Sequence, residues 1–306
     1  MARGDIYEAT AGDSSDVYYV DTGMYDVAEY GSIYVIDDER PALIDTGIGT
    51  HDEVLLDAVA EIGIAPEEIE VIAPTHAHLD HAGGAGFLVE ECPNADVYVY
   101  ETAASLLIDP TALWKGTREA VGSMIKHYVE PKPVPEERLV ELTDGDTLDL
   151  GEHTLDVHHA PGHAFHQAVF YDRAVDGVFT ADAAGIFTPG LDRARHSSPP
   201  PGFHLEKCLA DVELLQKLDP SALYYGHFGD RPTGDILSEY ADVLESWVDR
   251  VAEKRAELGD DESVAEYFAE RVDVVDAWGE EKAREEERMN VRGVLHYLDS
   301  EGERTQ

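Results

Sequence analysis

Three imidazoles and a carboxylate fall within six positions of Thr75-His76-Ala77-His78-Leu79-Asp80-His81, directly after the apolar run Val71-Ile72-Ala73-Pro74. Neutral histidine nitrogen and carboxylate oxygen hold borderline divalent metals such as zinc and iron, and a catalytic site keeps one position open for water. One ion would use only some of these side chains, so the spacing points to two ions side by side. An extended chain sends His76 and His78 to the same side, and the loop leading to Gly83-Gly84 can bring Asp80 and His81 round to the second ion. A lone histidine would support no such reading, whereas H-x-H-x-D-H on a glycine-flanked loop has few structural uses.

Further donors follow in order. Thr154-Leu155-Asp156-Val157-His158-His159 alternates like a strand and runs into Ala160-Pro161-Gly162-His163, a turn that presents His163 at its tip. The short run Gly177-Val178-Phe179-Thr180-Ala181 delivers Asp182, and Ala222-Leu223-Tyr224-Tyr225-Gly226 delivers His227. Each candidate sits behind an apolar run and a small residue.

This ordered pattern, H-x-H-x-D-H, then G-H, then an Asp after a strand, then G-H, resembles the metallo-β-lactamase superfamily of metal-dependent hydrolases over about residues 15–230. The resemblance implies that His76, His78 and His163 bind one metal, that Asp80, His81 and His227 bind the other, and that Asp182 bridges both. It also implies a four-layer αββα sandwich, of α+β class, with the metals at the edge between the sheets. The segments Pro161–Gln167, Ser198–Phe203 and Tyr225–Gly229 resemble a poorly characterised archaeal and bacterial hydrolase-like branch.

Two divalent ions about 3.5 to 4 Å apart share a water, lower its pKa from ~15.7 toward neutrality and present hydroxide as the nucleophile. One or both then accept the oxyanion that develops on a carbonyl substrate. No Ser or Cys nucleophile is required, and Cys92 and Cys208 lie in helix-like, buried-type segments where a free Cys is a small hydrophobe. Zinc is the first expectation for the metal, with iron and manganese also suited. Asp80 and, three residues after His163, His166 are the candidate catalytic residues, His166 as substrate contact or proton shuttle. Asp45 closes the strand-like run Ala42-Leu43-Ile44 and is the candidate partner for the outer nitrogen of a metal-bound histidine. Among the other histidines, His196 and His204 flank a Pro-rich loop close enough to Asp182 to border the pocket.

The elements that must position these groups read as strands Val17 to Val20, Ser32 to Ile36 and Ala42 to Ile44, then a helix from Asp52 to Ile62. After the histidine loop come a helix from Ala85 to Glu91 and a strand from Asp96 to Tyr100. The second half repeats the plan with the strands carrying His163, Asp182 and His227. The expected organisation is one sandwich domain, residues 1–231, and an acidic helical C-terminal extension, residues 232–306. Residues 109–130, bearing Trp114, Met124 and Tyr128, read as helices that could lie over the pocket. In the extension, Ile236, Tyr240, Val243, Leu244, Trp247 and Val251 recur at spacings of three and four. The Glu-rich run from Glu280 to Glu287 reads as a solvated helix that packs on the domain or joins two copies into a homodimer.

The chain carries 65 Asp and Glu against 22 Lys and Arg, a formal charge of −43, yet it is 43% hydrophobic and patterned throughout, which excludes a disordered chain. Acid spread along the whole length is the composition of a halophile protein: at ~1 M salt the Debye length is near 3 Å and self-repulsion is screened. With no basic stripe, nucleic acid is not an expected partner. With no apolar run of spanning length and no signal-peptide pattern, a cytoplasmic protein without membrane attachment is expected.

The leading expectation is therefore hydrolysis of a small-molecule ester, thioester, lactone or amide at a dinuclear site. The alternatives are a mononuclear-iron oxidoreductase of the persulfide dioxygenase kind and a binding protein without catalysis. Metal content and turnover under air and under argon separate the three.

Overall fold

The computed structural model describes residues 3–12 and 14–304. Its first sheet has seven strands in chain order: β1 (Ile6–Glu8), β2 (Val17–Asp21), β3 (Ser32–Ile36), β4 (Ala42–Ile44), β5 (Val71–Ala73), β6 (Asp96–Tyr100) and β7 (Leu139–Leu142). Pairing is antiparallel from β1 to β4 and parallel from β4 to β7. The second sheet uses β8 (Thr147–Asp149), β9 (Thr154–His159), β10 (Ala168–Asp172), β11 (Gly177–Ala181), β14 (Ala222–Tyr225) and β15 (Gly229–Pro232), in the order β15-β14-β11-β10-β9-β8. β12 (Ile186–Thr188) and β13 (Arg193–Arg195) form a separate hairpin.

Period-two alternation assigns each strand residue to a layer. On β3, Tyr34 and Ile36 enter the core between the sheets, with Val157, Phe170, Phe179 and Tyr224 from the other sheet. Ile33 and Val35 face the opposite way, into a core shared with α1 (Asp52–Glu61), with α2 (Leu79–Ala82) and α3 (Ala85–Glu91), and with α4 (Glu101–Ile108). The short α5 (Thr111–Ala120) follows. The outer face of the second sheet, with Val169, Val178 and Leu223, is covered by α6 (Leu205–Leu218), α7 (Ile236–Leu258) and α8 (Asp261–Ala269), and by α10 (Glu280–Arg304), which follows the single turn α9 (Val275–Trp278). Helices, sheet, sheet and helices give the α+β sandwich that the resemblance implied.

The solvated reading of Glu280–Glu287 is corrected. Lys282, Glu286 and Glu287 are buried, as are Ala283, Asn290, Val291 and Val294. Buried charge is tolerated where it is paired, and these residues are: Lys282 pairs with Glu286, while Glu287 takes Arg195 Nη2 at 3.1 Å and lies 3.3 Å from His196 Nε2. Trp247 of α7 and Val291 of α10 share one apolar cluster with Leu223 of β14, so residues on both sides of position 231 build the same core.

Candidate metal centre

Every sequence-selected donor leaves the end of a strand at one edge of the sandwich. β5 delivers His76, His78, Asp80 and His81, the last two already in α2; β9 leads to His163, β11 to Asp182 and β14 to His227. Two local devices aim them. Gly162 packs so closely on α6 that a methyl group there would overlap the backbone of Cys208, and its N–H donates to Asp211 Oδ2 at 2.6 Å. The register of β11 against β14 slips between Phe179 and Ala181, and Ala181 takes a left-handed φ of 48°, which turns Asp182 out of the strand.

The donors fall into three overlapping groups, His76 with His78 and His163, His76 with His81 and Asp182, and Asp80 with His81 and His227, each with its ligand atoms within 4.8 Å of one another. Their outer partners fix which nitrogens face inward, since a neutral imidazole has one N–H and one lone pair. His81 Nδ1 donates to Asp45 Oδ2 at 2.8 Å, and His227 Nδ1 donates to the Tyr30 carbonyl at 3.1 Å. Thr75 Oγ1 donates to Asp45 Oδ1 at 2.8 Å, which leaves it to accept from His76 Nδ1 at 3.2 Å. Asp45 thus orients two histidines.

The Nε2 lone pairs of His81 and His227 consequently face each other across 3.1 Å, and Asp182 Oδ1 lies 3.4 Å from the first and 3.6 Å from the second. His76 Nε2 and Asp182 Oδ1 are buried with no hydrogen-bond partner among the described residues. Converging lone pairs with nothing to donate to them are what a cation requires, so the donor set fits divalent metal.

The electrostatics agree for His76 and His78, whereas at His81 burial is outweighed by Asp45 and Asp182, which raise it well above the usual histidine range, so a cation there must displace a proton. Burial, reinforced by the neighbouring imidazoles, pushes His76 well below the usual histidine range and His78 down to about 3, keeping both in the neutral form that ligates. Burial opposes ionisation of Asp182, but His163, His227 and His81 outweigh it and hold the carboxyl well below its ordinary value.

A family model described as the metallo-beta-lactamase superfamily matches residues 27–227. The chain belongs to the metallo-β-lactamase superfamily. It is 27% identical to the chicken (Gallus gallus) acyl-coenzyme A thioesterase MBLAC2 over 243 residues, covering 74% of this chain and 83% of that protein. A solved structure of the archaeal superfamily protein ST1585 from Sulfolobus tokodaii superposes with a TM-score of 0.65 at 20% identity, over 96% of this chain and 99% of that one. The superfamily protein TTHA1429 from Thermus thermophilus follows at 0.62 and 22% identity, over 89% of each chain. The superfamily consists mostly of metal-dependent hydrolases, and the His and Asp groups described above agree with that character.

In this member, a cavity of about 340 Å³ opens onto the donors and is lined by His78, Asp80, His163, His166, Asp182 and His227. His166 is buried and its Nδ1 accepts from Ala77 N at 3.2 Å, so the neutral ring carries its proton on Nε2. Of the two flanking histidines, His196 stacks on Trp247 at 3.8 Å between centroids and His204 lies 3.1 Å from Glu206; neither lines the cavity, contrary to expectation. The loop between them does, through Ser197 and Pro199 to Gly202.

Several residues at the site were not anticipated. Ser197 Oγ donates to Asp182 Oδ2 at 2.8 Å. Asn290 of α10 holds the next residue, accepting from Ser198 N at 2.6 Å, and Lys282 donates to the Tyr30 hydroxyl at 2.8 Å. The C-terminal helices therefore carry part of the cavity wall. A signal was present: Asn290 and Gly293 interrupt an otherwise good helix, a local cost that close packing explains.

Proposed function

We propose that the chain is a dinuclear metal-dependent hydrolase of thioesters or esters. His76, His78 and His163 would hold one ion, Asp80, His81 and His227 the other, and Asp182 would lie between them. Zinc is the first candidate. Two such ions supply Lewis acidity toward a carbonyl oxygen and an ionised water at neutral pH.

The observation that carries the reading is the approach of His81 Nε2 and His227 Nε2 to 3.1 Å while the Nδ1 of each is engaged elsewhere, with Asp182 Oδ1 beside them and without a hydrogen-bond partner among the described residues. Around that centre the chain's own residues do the rest. Asp45 and the Tyr30 carbonyl hold the imidazoles in ligating tautomers, and Ser197 orients the Asp182 carboxylate from its far oxygen. His166, with its proton on Nε2 in a largely apolar cavity, is placed to donate to a substrate oxygen. A thioester is favoured over an amide by the likeness to MBLAC2, whose name states acyl-coenzyme A thioesterase.

The test is elemental analysis of the purified chain together with hydrolysis of a panel of thioesters and esters under air and under argon. Two ions per chain and chelator-sensitive, oxygen-independent hydrolysis are expected. One iron per chain with oxygen uptake, or no turnover across the panel, would overturn the reading.

A further inference from the structure

Helix α5 is amphipathic: Leu113, Gly116, Thr117 and Ala120 share one face, and Lys115, Arg118 and Glu119 the other. None of its ten residues is fully buried: Leu113 packs in part against the outer core of the first sheet, and the rest of that face stays half-covered or open. It lines the same cavity that opens onto His78, Asp80, His163 and Asp182. A half-covered apolar wall continuous with a candidate reaction centre suits an apolar occupant joined to whatever reacts there.

Gly116 is the informative position. Glycine inside a helix is disfavoured against alanine, and neither conformation nor crowding requires it here. Its φ is not left-handed, and a methyl group built on it would meet nothing within 4 Å among the described residues. What the missing side chain leaves is room in the cavity. Phe165 also lines that cavity, its ring 55% exposed, the most exposed large apolar side chain described. Its carbonyl is bonded by His159 Nε2 at 2.9 Å, which fixes the backbone there, and the ring itself packs edge-on against His166 at 4.7 Å between centroids. Beyond Asp80 and Asp182 at the centre, the charged lining residues Lys282, Glu285 and Glu286 come from α10, with Glu285 Oε2 3.0 Å from where a methyl on Gly122 would lie, while α5 itself contributes no ionised group to the lining.

We infer that α5 is the seat of an apolar acyl chain and that Gly116 sets the length of chain accepted. The inference rests on the hydrolase reading for the place of the scissile carbonyl. It is tested on the full chain loaded with zinc in two ways: calorimetric binding of straight-chain carboxylates from acetate to dodecanoate, and hydrolysis of two thioester series, one lengthening the acyl chain on a fixed small thiol, the other lengthening the thiol on a fixed acetyl group.

Carboxylate affinity should tighten roughly fourfold per methylene until the seat is full. Gly116→Leu should cut the ratio of octanoate to acetate affinity by roughly tenfold or more, about two methylenes' worth, and should shift the acyl-series optimum to shorter chains. Gly116→Ala should cut it much less. Both replacements favour helix, so circular dichroism serves as the check that α5 remains folded. The same length dependence in Gly116→Leu as in the parent, or length dependence confined to the thiol series, overturns the assignment. Gly116-sensitive carboxylate binding without turnover of either series supports the seat and sinks the hydrolase reading instead.

Discussion

Replacing Asp45 by Asn keeps the shape of the site and reverses one hydrogen bond in it. The carboxylate accepts three bonds at 2.8 Å, from Thr75 N, Thr75 Oγ1 and His81 Nδ1. An Asn oxygen can serve the two from Thr75. Its NH2 group then meets His81 Nδ1, which must become the acceptor, and the ring proton moves to Nε2, the atom 3.1 Å from His227 Nε2. The alternative flip of the amide sets NH2 against two Thr75 donors and strands buried donors at about 1 to 3 kcal/mol each. Either way one ion loses a ligand or its orientation, and loss of such an outer partner costs about 10- to 100-fold in affinity, about 1.4 to 2.7 kcal/mol. Asn is the right probe because Asp45 sits at a left-handed φ of 66°, which Asn tolerates and Ala resists. Zinc affinity is measured by competition with a chromophoric chelator, resolving the two ions, with urea unfolding of the metal-free chain in parallel. The expected outcome is one ion weakened about 10- to 100-fold and a smaller change in metal-free stability. Both affinities within about twofold of the parent would refute the assignment of Asp45 as the group that sets the His81 tautomer.

Two further perturbations probe the supports of the site. A methyl group on Gly293 would overlap the Ser198 carbonyl oxygen, so Gly293→Ala should push α10 off the loop that carries Ser197, lower stability by about 1 to 3 kcal/mol in urea unfolding and loosen zinc binding at the same time; a variant with parent stability would mean the contact is not close. Burial pushes the Asp211 carboxyl, which accepts from Gly162 N, up to about 7. An unfolded Asp loses its proton near about 3.9, so between those values the folded chain holds the extra proton. The contribution to stability is fully present below about pH 4 and is lost as pH rises through about 7, by up to about 4 kcal/mol. Asp211→Asn, which still offers an acceptor to Gly162, should gain on the parent as pH rises from about 5 to 8; unfolding free energies that run parallel over that range would refute the shift.

The donors and the strands that carry them were legible because both signals are local. His76, His78, Asp80 and His81 lie on one short loop, and β3, β4, α3 and β6 have the bounds that alternation and apolar runs predict. The roles proposed for His163, Asp182 and His227 came from order along the chain and from family resemblance, since spacing alone does not say that residues 36 positions apart, as Asp45 and His81 are, or 146 apart, as His81 and His227 are, meet. What was missed depends on partners distant in sequence. Glu286 and Glu287 look like solvent-facing acids in a charged helix, and only Lys282, Arg195 and His196 around them make burial tolerable. Charge in a helix therefore predicts exposure only where the rest of the chain offers no cation to meet it. In this acidic sequence, with 22 Lys and Arg in total, the place to look for buried acid is wherever one of those few cations falls on an apolar surface. Lys282 does so at the rim of the site, against the rings of Tyr25 and Tyr30. The C-terminal helix is thereby tied through Tyr30 to His227, so the acidic segment that reads as solvated supports a residue proposed as a ligand.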